Sequence, residues 1–171
     1  GVMGIFPGLR YVLVTPALLQ TLNQEELDAV MAHEIGHIKR KHMLLYVLII
    51  VGFSMLAGFI LEPLTFFALS RDSFYLLLKK TGGPAETLLT VMMTVTTLVL
   101  MILYFRYLFG YFIRNFERQA DLHVFDALGS SHSIISAFEK IAIVSGNIRD
   151  LPSWHHFGIG ERVEYLEKCE A

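Results

Sequence analysis

Two stretches of this chain carry no charged residue: MLLYVLIIVGFSMLAGFIL at 43–61 and TLLTVMMTVTTLVLMILYF at 87–105. A helix needs about 20 mostly apolar residues to cross the hydrocarbon core of a bilayer, so each stretch is long enough. The competing reading is a pair of buried helices in a soluble core. With only 171 residues in all, the chain has little left to cover two helices that are apolar all round. A hydrophobic share of 54% points the same way, so the expected surroundings are a lipid bilayer. A net charge of −2 argues against nucleic acid as a partner. Cys169 is the single cysteine, which rules out an internal disulfide and leaves a surface thiol.

The rest of the chain is arranged around these spans. LRYVLVTPALL at 9–19 alternates and then breaks at Pro16, which predicts a strand within an edge segment over 1–20. Asn23 with Glu26 three residues later is a capping box that opens a helix over 23–42. Leu27, Val30, Met31 and Ile35 fall on one face of that helix. No linker residue intervenes before Pro63, so the helix and the first span read as one continuous rod. The spans are expected at 43–61 and 87–113, joined by a loop over 62–86 that contains Arg71, Asp72, Lys79, Lys80 and the turn TGGP. Thr90, Thr94, Thr96 and Thr97 in the second span can bond back to their own helix or across to a neighbour. A helical segment over 114–171 follows. Its first helix ends at Gly129, and two shorter helices are expected near 133–144 and 160–168. The fold class is therefore mainly α, with a small N-terminal β element and two membrane spans inside a single domain.

Just before the first span lies His33-Glu34-Ile35-Gly36-His37, an H-E-x-x-H pattern. Residues four apart on a helix point the same way, so His33 and His37 can share one Zn²⁺. Glu34 stays off the metal but near enough to take a proton from water. His42 and His123 do not fall on the ligand face of their helices and read as ordinary surface residues. A catalytic zinc site needs a third protein ligand. FERQAD offers Glu117, with Asp121 one turn later on the same face. Glu117 would bind the metal, and Asp121 would accept a hydrogen bond from a liganding histidine, His33 being the nearest choice. The plainer reading makes Glu117 and Asp121 a solvated face paired with Arg114 and Arg118.

Topology favours the metal reading. Two spans separate His37 from Glu117, and an even number of crossings returns the chain to its starting side. Lys39, Arg40 and Lys41 flank the first span, and Arg106, Arg114 and Arg118 follow the second uncharged run; the connection between spans has only Arg71, Lys79 and Lys80. The positive-inside rule then puts the histidines on the cytoplasmic face.

These motifs resemble a known family, the integral-membrane gluzincin metalloendopeptidases that include HtpX-like proteases and the CAAX prenyl endopeptidases. The matching pieces are LRYVLVTPALL, NQEELDAVMAHEIGH, RNFERQAD and HFGIGERVEYL, in the family's order. H-E-x-x-H alone is shared by many zinc peptidases; E-x-x-x-D after two spans makes the match more specific. It looks closer to HtpX-like members than to the CAAX enzymes, which are longer and have more spans. The resemblance implies a membrane-embedded zincin-type fold with one Zn²⁺, cutting membrane or misfolded proteins at the cytoplasmic face. It implies His33, His37 and Glu117 as ligands, Glu34 as general base and Asp121 as the residue holding a histidine. The family usually has a His-Pro pair about six residues before an Arg. Here His156 precedes Arg162, with Phe157 in place of Pro. His156 is thus the candidate for stabilising the oxyanion, with His155 a competitor and Arg162 a supporting residue. The family's upstream spans are absent and the chain opens on Gly1, so it reads as a fragment or processed chain lacking its upstream part.

Other readings are a CAAX-type processing endopeptidase, an intramembrane zinc protease and a non-catalytic membrane scaffold. An intramembrane protease carries H-E-x-x-H inside a span, whereas here KRKH follows His37 before the span begins. A scaffold with structural zinc needs four closing ligands, commonly cysteines, and Cys169 alone offers no such closure.

Overall fold

The structure, a computed structural model, describes residues 1–4, 7–81, 83–151 and 158–170. The chain forms two compact units, Gly1–Tyr46 with Phe109–Ala171, and Val47–Leu108.

In the first unit, β1 (Val2–Met3) pairs antiparallel with β2 (Tyr11–Val12), Val2 opposite Val12. Gly4 has φ +104°, and a Cβ there would run into the Leu9 carbonyl oxygen, so the turn requires glycine. The strand expected over 9–19 shrinks to two residues, because Pro16–Thr21 is helix α1. Proline cannot donate to a ladder, but its fixed φ suits the first helical turn, and Thr15 Oγ1 caps it by accepting from the Leu18 N–H.

Helix α2 (Gln24–Lys39) opens on the capping box of Asn23 and Glu26. It does not continue into the span as a rod. Lys41 adopts φ +56°, its N–H bonds to Ile38 O, and helix α3 (His42–Ser70) begins only after this break. Left-handed backbone at a non-glycine residue costs about 1–2 kcal/mol, so a break here needs compensation from what it positions. It positions His42, which is fully buried.

Helix α6 (Gly110–Leu128) ends at Gly129 with φ +77°; α7 (His132–Val144) and α8 (Ile159–Glu170) follow. Ala29, Ala32, Val124, Ile134, Phe138, Val163 and Leu166 form the core. The buried face of α2 is built from Ala29, Ala32 and Gly36, not from the larger apolar residues expected there; Ile35 is exposed. The reason is the closeness of α2 and α6. A Cβ on Gly36 would stand 3.0 Å from His123 Cβ and 3.1 Å from Ala120 Cα, so only small residues fit the crossing.

In the second unit, α3 passes through Pro63 to Ser70, and α4 (Asp72–Thr81) and α5 (Gly83–Leu103) follow. The loop expected over 62–86 is therefore largely helical. Pro63 removes one backbone donor without ending α3, as membrane helices tolerate. The stretch 72–81 has neither glycine nor proline to stop a helix. A six-residue π-helical turn, Tyr104–Phe109, joins α5 to α6. Thr90, Thr94, Thr96 and Thr97 each donate to the carbonyl four residues back. Tyr104 Oη donates to Ile49 O at 2.7 Å, and Gly52 leaves room for that hydroxyl.

Both apolar helices are long enough to cross a membrane, and the protein does not bury them. Met55 and Phe59 are 72% and 79% exposed. Surfaces of this kind belong in lipid, which decides against a pair of soluble core helices.

Candidate metal centre

Helix α2 places His33 and His37 one turn apart, and α6 brings Glu117 to them. His33 Nε2 and His37 Nε2 lie 3.1 Å apart, while Glu117 Oε2 is 3.7 Å from the first and Oε1 is 3.6 Å from the second. In a tetrahedral complex with bonds of about 2.0–2.1 Å, neighbouring donors are separated by about 3.3–3.4 Å. Three converging donors at this spacing, two imidazoles and a carboxylate, fit a small divalent cation. His37 is held neutral, its pKa lowered to about 3 by burial first and then by the neighbouring His33.

Asp121, fully buried one turn after Glu117, sits 2.9 Å from His33 Nδ1. The approach is bent, leaving that N–H poorly aligned with the oxygen. Arg162 on α8 grips Asp121 with two donors, Nε to Oδ2 at 2.9 Å and Nη2 to Oδ1 at 2.5 Å. Its Nη1 is 3.3 Å from Glu117 Oε2, and its guanidinium lies over the Phe138 ring. Glu117 and Asp121 thus face a largely enclosed arginine from another helix.

Glu34 faces the same open cleft of about 530 Å³ as the three donors. Arg162 completes its polar side, and Leu18, Met43, Tyr46, Phe138 and Ile141 form its apolar wall. Leu13, just after β2, also lines it. His155 and His156 lie outside the described residues.

His42 is not the surface residue expected from its helix position. Its Nδ1 is 2.9 Å from His37 Nδ1, its Nε2 is 3.3 Å from Gln119 Oε1, and its ring stacks on Phe116. On a continuous helix, a residue five after His37 would lie about 140° around the axis. The left-handed Lys41 swings it back, and no periodicity could have signalled that. His123, half-buried where α6 crosses Gly36, is also more enclosed than expected.

A helix carrying H-E-x-x-H, met by a glutamate from a second helix beyond two apolar helices, defines the class: a metallopeptidase-type site on a membrane chain. The chain belongs to peptidase family M48, whose sequence model matches residues 2–169. It is similar to a protein named Protease HtpX homolog from Herminiimonas arsenicoxydans, with 26% identity over 151 residues, 84% of this chain. The chain spans about half the length of that curated relative, 48%. No solved structure matches the chain.

Proposed function

We propose that this chain is a membrane-bound zinc-dependent endopeptidase that hydrolyses peptide bonds of membrane or misfolded proteins at the cytoplasmic face. The observation that carries the reading is the convergence of His33, His37 and Glu117, with Glu34 in the same cleft. When bound to these three residues, Zn²⁺ would act as a Lewis acid toward a scissile carbonyl and bring the pKa of water to about 7.

The protein's own residues supply the remaining functions. Glu34 accepts a proton from water and returns it to the leaving amine. Asp121 holds the His33 ring, and Arg162 holds Asp121 in turn while steadying Glu117. The apolar wall receives hydrophobic substrate side chains. The β1–β2 hairpin beside Leu13 offers an edge along which an extended peptide can add as a strand. His156, with His155 the alternative, is proposed to stabilise the oxyanion, on the strength of the motif before Arg162. The cytoplasmic assignment rests on the basic residues at 39–41 and at 106, 114 and 118.

The test is metal analysis with peptide cleavage on the detergent-solubilised chain. Glu34→Gln should retain zinc and lose cleavage, and Glu117→Ala should lose zinc affinity. Full activity in Glu34→Gln would refute the role of Glu34. A proline scan of residues 2–14 that left cleavage untouched would refute strand addition.

A further inference from the structure

Two of the three donors are histidines, and each is oriented differently. His33 has the carboxylate of Asp121 at its back. Among the described residues His37 has no carboxylate there; it has His42, fully buried, and beyond it Gln119. We infer that His42 and Gln119 form a neutral hydrogen-bonded relay that sets the tautomer of His37 and so presents its Nε2 lone pair to the metal. The inference rests on the metal reading above.

The direction of the relay follows from donor and acceptor chemistry. An amide oxygen can only accept, so at 3.3 Å from Gln119 Oε1 the His42 Nε2 carries the proton. A neutral imidazole has one N–H, which leaves His42 Nδ1 as an acceptor. It lies 2.9 Å from His37 Nδ1, which must therefore be the donor. That leaves His37 Nε2 bare, and this nitrogen is the one lying 3.1 Å from His33 Nε2 and 3.6 Å from Glu117 Oε1. The opposite polarity would put a hydrogen on His37 Nε2 and block it as a ligand.

The relay is also built to hold its geometry. The His42 ring is stacked on Phe116 with centroids 4.4 Å apart and planes 14° from parallel, which fixes the direction of both nitrogens. It ties three elements together: His37 ends α2, His42 opens α3 after the left-handed Lys41, and Gln119 lies two residues beyond Glu117 on α6. His42 and Gln119 are positioning residues, since neither reaches the cleft where the three donors converge.

The experiment compares His42→Asn, His42→Phe and Gln119→Leu with wild type in the detergent-solubilised chain. An asparagine can place an acceptor where His42 Nδ1 stood, while phenylalanine keeps the stack on Phe116 and offers no acceptor. Zinc affinity is read by chelator competition, and the His37 tautomer by ¹⁵N NMR of the metal-free, histidine-labelled protein. His42→Phe should bind zinc about 10- to 100-fold more weakly, the usual cost of losing a ligand's partner. It should also populate the Nε2–H tautomer of His37. His42→Asn should stay within a few-fold of wild type and keep the Nδ1–H tautomer. Gln119→Leu, which leaves the stack intact, should weaken binding in the same direction by less.

A folded His42→Phe with wild-type affinity and tautomer overturns the relay. So does a folded His42→Asn as weak as His42→Phe, or an unchanged Gln119→Leu. A wild type that binds no zinc, or a His33→Ala variant that binds it as well as wild type, overturns the metal reading instead. The tautomer of the metal-free protein separates the two failures.

Discussion

Replacing Glu26 with glutamine tests how the first unit holds α2 in place. Glu26 is 3% exposed, yet it is held ionised with its pKa lowered to about 2. Burial alone would raise it; Lys140, the Ser136 hydroxyl and the Asn23 N–H together outweigh that. Ser136 Oγ donates at 2.6 Å, Lys140 Nζ at 2.7–2.8 Å and Asn23 N at 2.9 Å, so one carboxylate ties α7 to the start of α2. A fall from 4.5 to about 2 corresponds to at most about 3 kcal/mol of stability. The Lys140 side chain is 41% exposed, so solvent screens the pair and about 2 kcal/mol is the expected loss in Glu26→Gln at neutral pH.

The pH dependence has a definite sign. The folded pKa is depressed, so the stabilisation is complete above the unfolded value near 4.5 and disappears as pH falls toward about 2. The gap between wild type and Glu26→Gln should therefore be roughly halved by about pH 3. Urea unfolding followed by far-UV circular dichroism at pH 7 and at steps down to pH 3 measures it. With a slope of about 2 kcal/mol/M, the variant's midpoint should fall by about 1 M at pH 7. A midpoint unchanged within error at pH 7, or a gap that widens on acidification, would refute the reasoning.

Gly36→Ala should destabilise the first unit by about 1–2 kcal/mol, because crowding against Ala120 Cα exceeds the helix-propensity gain; urea midpoints report it. The same variant should weaken zinc binding, since it pushes α2 off the helix that carries Glu117. Asp121→Asn should cost about 10- to 100-fold in zinc affinity, read by chelator competition, by loosening His33 and releasing Arg162. Gly129→Ala should lower stability by about 1 kcal/mol without altering zinc affinity, because φ is +77° there and the surrounding space is open. Chelator treatment should lower the urea midpoint of wild type but leave that of His33→Ala unchanged.

Much of the site was legible because its first elements are local. His33 and His37 share a face through helical periodicity alone, and Asn23 with Glu26 marks where that helix must start. Glu117 and Asp121 could be picked out by their one-turn spacing. The features that escaped depend on contacts between distant segments. Arg162 was picked out as a supporting residue beside His156, but its grip on Asp121, 41 residues earlier, arises only through the packing of α8. Polar residues over 71–80 suggested a loop, yet polar sequence without glycine or proline is no obstacle to a helix. The Ala29, Ala32 and Gly36 face was overlooked because small residues signal close approach, which hydrophobic periodicity does not register.

By itself, the sequence determined that two helices must seek lipid, since uncharged runs of 19 residues leave no amphipathic face to pack in water. It also determined which histidines can share a metal, because four-residue spacing on a helix is a property of the backbone. The tertiary structure decided what surrounds them. One left-handed residue at Lys41 turns His42 from the expected surface position into the neighbour of His37, and the close crossing at Gly36 brings Glu117 within reach. Both depend on a backbone angle and an interhelical distance, which packing sets and local spacing cannot specify.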